Sequence, residues 1–86
     1  MLRKKFVISE VANSFMPVYL TAEGKPLFQH FRYQGRKYHF SQDIASSCKW
    51  IDYNEAEAFL IGFSEQAEPI YPIAMYIIVT IYERTN

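Results

Sequence analysis

The sequence predicts an α+β fold, a two-layer sandwich in which an antiparallel sheet of about four to five strands carries one principal helix on one face. Three observations predict it. Residues 73–82 (IAMYIIVTIY) are apolar or aromatic at nine positions of ten, the mark of a long strand with both faces covered. Residues 53–66 place Ala56, Phe59, Leu60 and Phe63 on one helical stripe. Upstream of Ser41, short apolar runs are punctuated by Asn13-Ser14, Glu23-Gly24 and Gln34-Gly35.

The elements follow in chain order. Lys5–Val11 (KFVISEV) reads as a first strand and Pro17–Thr21 (PVYLT) as a second, joined into an antiparallel hairpin by a turn at Asn13-Ser14. The second ends at Glu23-Gly24, before Lys25-Pro26. Phe28–Gln34 and Arg36–Phe40 form two short strands about Gln34-Gly35, where Gly35 supplies the positive φ of a tight turn. Ser41, Asp43 and Ile44 begin a short helical turn, and Cys48–Ile51 is extended. Asp52 caps the main helix, with Glu55 three residues on in capping-box spacing. Gly62 costs about 1 kcal/mol against alanine in a helix, so its presence predicts a close helix–sheet approach there. Residues 67–69 end the helix.

Pro72 sits where a strand tolerates proline. On the strand after it, Ile73, Met75, Ile77, Val79 and Ile81 share one face, and Ala74, Tyr76, Ile78, Thr80 and Tyr82 the other. The all-aliphatic face is expected to pack on the helix. The tyrosine-bearing face is left for a loop, a surface layer or a partner chain. The strand is expected to pair with the first strand in the middle of the sheet, with neighbours on both sides. It is too short for a membrane span, which needs about 20 apolar residues.

Eighty-six residues make a single domain, residues 1–86, which buries roughly 60–65% of its unfolded surface. Half of the residues are hydrophobic, so the chain is a folded protein. Cys48 is the single cysteine, which excludes an internal disulfide and points to a reducing, cytoplasmic setting, in a cell or an infected host cell. Met1–Lys5 is followed by too few apolar residues for a secretion signal. The net charge is zero but segregated: residues 1–40 carry seven Lys/Arg against two acidic residues, and residues 41–86 the reverse. This is either internal compensation or a pair of oppositely charged faces suited to a charged partner.

The run from Tyr38 to Phe63, YHFSQDIASSCKWIDYNEAEAFLIGF, followed by a hydrophobic last strand, resembles small phage and mobile-element proteins of unknown function. The shared features are a strand, a "D-I-x-x-A" element, an aromatic and an "E-A" helix, over roughly residues 38–82. The segment between Gly24 and Gln34 departs from that pattern. The resemblance implies an accessory factor that binds a host protein, and it carries no functional residue over.

Catalysis needs a nucleophile or an acid–base pair held in a pocket. The available groups, His30, His39, Ser41, Asp43 and Cys48, form no such set, and the chain is expected not to be an enzyme. One cysteine and two histidines supply no zinc spacing, and three scattered glycines supply no phosphate loop, so no metal or cofactor is expected. The sharpest functional segment is His30–Phe40, HFRYQGRKYHF. A hairpin turning at Gln34-Gly35 puts Phe31 and Tyr33, and Tyr38 and Phe40, on one side, and His30, Arg32, Lys37 and His39 on the other. A single-stranded nucleic-acid platform needs aromatics and cations on one exposed face, and alternation separates them here. The helix face bearing Glu55 and Glu57, with Glu65 beyond, is a solvated face or an insert for a basic groove.

The sequence thus predicts a non-enzymatic protein-binding module that modulates or inhibits a host protein, with homodimerisation as a further expectation. The alternative is a small nucleic-acid-binding protein using residues 30–40. The binding candidates are Arg32, Tyr33, Arg36, Lys37, Tyr38, Tyr76 and Tyr82, since tyrosine and arginine dominate interface hot spots.

Overall fold

The computed structural model describes residues 1–11, 16–23, 31–67 and 76–84. The turn expected at Asn13-Ser14, the Gly24–His30 stretch and residues 68–75 lie outside the described residues. The elements are β1 (Leu2–Glu10), β2 (Val18–Glu23), β3 (Phe31–Tyr33), β4 (Arg36–Ser41), a 3₁₀ turn (Ile44–Ser46), α1 (Tyr53–Ala67) and β5 (Tyr76–Arg84). The strands form one antiparallel sheet in the order β3-β4-β2-β1-β5, with α1 on one face. This is the expected α+β arrangement.

The helix begins as its sequence requires. The Asn54 N–H donates to the Asp52 carboxylate at 2.9 Å, and the first helical bond runs from Ala56 N–H to the Asp52 carbonyl. Its stripe supplies the core: Ala56, Leu60 and Phe63 are buried, and Phe59 is partly so. From the sheet, Ile8, Leu20, Tyr38 and Tyr76 meet Leu60 and Phe63. Gly62 sits where expected, against the hairpin. A Cβ there would collide with the Tyr33 hydroxyl and lie 3.1 Å from its ring Cζ.

The β3–β4 hairpin turns through Gln34 and Gly35, both with positive φ (52° and 75°). That is a type I′ turn, whose twist matches the flanking strands. Register places Phe31 opposite Tyr38, Arg32 opposite Lys37 and Tyr33 opposite Arg36.

Three expectations need adjustment, the first in extent alone, since β1 and β2 do pair antiparallel. The first hairpin is paired only at its closed end, Ser9 with Tyr19 and Glu10 with Val18. Further along, the extended Cys48–Trp50 segment enters between β1 and β2. Phe6 and Trp50 exchange both backbone bonds, at 2.8 and 2.9 Å, and the Cys48 N–H donates to the Leu20 carbonyl. β1 and β2 diverge because another piece of backbone satisfies their inner groups.

The second correction concerns β5. It pairs with β1 through nine residue pairs, Leu2 with Arg84 to Glu10 with Tyr76. Among the described residues β1 is its one neighbour, so β5 lies at the edge of the described sheet and not at its centre. Apolarity on both faces reports the layers above and below a strand and says nothing of its lateral neighbours.

The third concerns its faces. Pairing of Ile8 with Ile78 fixes the parity, because Ile8 belongs to the helix-side core. Tyr76 and Ile78 therefore face α1, and Ile77, Val79 and Ile81 face away. The tyrosine-bearing face, not the aliphatic one, packs on the helix. The other face is not bare, since Val7 and Ser9 on it are buried.

Candidate functional site

Two regions compete. The first is the sequence-nominated hairpin. Tyr38 is buried, and Tyr33 packs edge-on against Phe59 and Phe63 at 5.1 and 6.2 Å between centroids. Burial pushes the Tyr38 hydroxyl above its ordinary pKa, with Arg36 beside it pulling the other way. Lys37 lies on the sheet face opposite these rings, and the Arg32 backbone position pairs with it. Arg36 is exposed on the aromatic side, at the mouth of a cleft of about 360 Å³ with Tyr38, Cys48, Trp50 and Phe59. Burial also pushes the Cys48 thiol up, which keeps it protonated and a poor nucleophile.

Asp43 and Ser41 are engaged in structure. The Asp43 carboxylate accepts from the Ser46 hydroxyl at 2.6 Å and the Ala45 N–H at 3.1 Å, bonds that hold its pKa below the ordinary value. Ser41 Oγ accepts the Asp43 N–H. No group of three or more His, Cys, Asp or Glu able to hold a metal occurs among the described residues. No helix there is long and apolar enough to cross a membrane.

The second region is the outer margin of β5, which sequence reasoning missed. The Phe6–Thr80 pair is decisive. Phe6 directs both backbone groups to Trp50, away from β5. In an antiparallel ladder a residue gives both groups to the same side, and sides alternate. Thr80 is thus in a non-hydrogen-bonded pair with Phe6, and its N–H and C=O point outward. By alternation so do those of Ile78, Tyr82 and Arg84. Beside this margin the side chains are exposed: Tyr82 at 64% and Ile77 at 46%.

A groove of about 390 Å³ runs between this strand and α1, lined by Tyr53, Glu57, Leu60, Ile61 and Ile78. Tyr53 and Ile61 are themselves largely exposed. Tyr53 rests edge-on against Phe6, 5.7 Å between centroids, which fixes that end of the groove. Glu57 is exposed at its rim, and the described ion pairs, Lys5–Glu83 and Lys49–Glu83, involve neither Glu57 nor Arg84. An open ladder next to an apolar groove is a template for an additional strand.

The chain matches no family model, no curated protein and no solved structure.

Of the seven sequence-nominated residues, Tyr82 lies on the open margin and Tyr76 lies in the core beneath it. Tyr33, Arg36 and Tyr38 border the hairpin–helix junction, and Lys37 lies on the opposite face with the Arg32 backbone position. The candidates are divided among three places. The signal that could have found the margin is the pairing of a long apolar strand with the first strand only, which no local pattern encodes.

Proposed function

We propose that this chain is a non-enzymatic protein-binding module that takes up an extended strand of a partner along the open margin of β5. The observation that carries the reading is the row of outward backbone groups at Ile78, Thr80, Tyr82 and Arg84, next to the groove under α1. A strand added there sits about 4.8 Å from β5, continues the ladder and lays alternate side chains over Tyr53, Leu60, Ile61 and Ile78. Main-chain bonds give affinity, and the groove gives selectivity for apolar residues, with Lys or Arg favoured near Glu57. A host protein that offered such a strand would be occluded by its uptake, the mode of action of an accessory inhibitor. The hairpin supports nucleic-acid binding less well, since its tyrosines are packed under α1 and Lys37 lies on the other face.

The test is selection from a random-peptide display library. Enriched peptides should alternate apolar residues and carry a Lys or Arg, and they should not bind Thr80→Pro. Proline at this position removes an N–H that points away from β1, so the native ladder is kept. Peptides that bind Thr80→Pro unchanged would refute the margin. So would an absence of enriched peptides together with tight oligonucleotide binding at low salt that Arg36→Ala with Lys37→Ala abolishes.

A further inference from the structure

The margin of β5 is complementary to itself, and we infer that its occupant is β5 of a second copy of this chain, antiparallel across a two-fold axis at Thr80. The inference rests on the reading of that margin as a strand-binding site.

The register follows from the strand. Centred on Thr80, every residue of Tyr76–Arg84 finds a partner: Thr80 with Thr80 of the other copy, Val79 with Ile81, Ile78 with Tyr82, Ile77 with Glu83 and Tyr76 with Arg84. Thr80 has its N–H and C=O outward, so the central pair closes a reciprocal hydrogen-bonded ring. Residue parity keeps helix-side residues against helix-side residues. Tyr82 of one copy, 64% exposed alone, then comes to lie next to Ile78 at the groove of the other. Val79 and Ile81 meet on the opposite face, and Ile77 is covered by the neighbouring strand.

Charge supports the same arrangement. No charged side chain interrupts Tyr76–Tyr82, and the antiparallel register opposes neither Glu83 to Glu83 nor Arg84 to Arg84. Arg84 of one copy is carried, past Tyr82, to the groove that Glu57 lines on the other. Both are exposed and outside the described ion pairs of a single copy. A parallel strand pair would instead stack like charges and could not close as a two-fold.

Sedimentation velocity over a wide concentration range tests this, with four variants: Thr80→Pro, Glu57→Arg, Arg84→Glu, and the Glu57→Arg/Arg84→Glu pair. The expected result is a wild-type dimer, a monomeric Thr80→Pro, single charge variants weakened about tenfold, and recovery in the double variant. Circular dichroism checks that each folds. Should Thr80→Pro not fold, the three charge variants, all at exposed positions, decide the matter. A dimer that survives Thr80→Pro overturns the inference, and one that ignores the charge exchanges overturns the Thr80 register. A strict monomer at high micromolar concentration overturns self-pairing while strand capture stands, provided library peptides bind wild type and not Thr80→Pro. A strict monomer that captures no peptide overturns both.

Discussion

Helix and hairpin come closest at Gly62, and there a methyl group is enough to test the packing. Gly62→Ala gains about 1 kcal/mol of helix propensity. It also drives a Cβ into the Tyr33 hydroxyl, and overpacking of this kind costs about 1–3 kcal/mol. The net effect should be a loss of about 1 kcal/mol by urea denaturation. Gly62→Ala with Tyr33→Phe should recover most of it, since the hydroxyl is the nearest atom. Glu83 gives a pH-dependent counterpart. Its hydrogen bond and ion pair with Lys5, at 3.0 Å, and the nearby Lys49 hold its pKa below the ordinary glutamate value. A carboxylate depressed on folding adds stability above its unfolded pKa and loses it as pH falls through the folded one. Thermal melts should show wild type losing its advantage over Glu83→Gln as pH drops through and below the usual carboxylate range.

Among the elements, α1 was the most legible in the sequence. Its stripe, its Asp52 cap and the close approach at Gly62 all follow from spacing within a few residues. The Gln34-Gly35 turn was legible for the same reason. Burial within the stripe is unequal, however: Phe63 is fully buried, whereas Phe59 is partly exposed beside Trp50. Phe63→Ala should cost about 3–5 kcal/mol, a large share of a small domain's stability, and Phe59→Ala roughly half as much. Denaturant midpoints of the two variants check the order. What was not legible is lateral. Nothing within Tyr76–Arg84 says that it lies at an edge, or that Tyr76 and Ile78 turn inward while Val79 turns out. Those facts are set by register with β1, far away in the chain, and a shift of one residue would invert them. The same holds for the margin proposed to take up a strand, which follows from β5 having β1 as its one neighbour among the described residues. Amide exchange reports this directly. The Ile77, Val79 and Ile81 amides, which point to β1, should exchange slowly. Those of Ile78 and Thr80, which point outward, should exchange fast in dilute solution and become protected as concentration rises. Uniform exchange along the strand at all concentrations would contradict the alternation.

For the whole molecule, the segregated charge resolves in part within the fold, since Glu83 from the acidic half meets Lys5 from the basic half. The remainder leaves Glu57 and its helix face beside the open margin. The sheet's connectivity has a further effect, on how the molecule comes to exist at all. β1 is a central strand, yet two of its three lateral partners are distant: Phe6 bonds to Trp50 and pairs with Thr80, 44 and 74 positions away. The local hairpin with β2 contributes just two residue pairs. Loop-closure entropy must therefore be met before most of the sheet returns any stabilisation, and such topologies fold in milliseconds to seconds, far slower than helical bundles of equal size. During synthesis β1 emerges before β5 and waits for it, its apolar centre at Val7 and Ile8 lacking that strand until β5 has been made. Folding should be all-or-none and should wait for β5, and a nascent chain that stalls after α1 should be caught by chaperones or lost to aggregation.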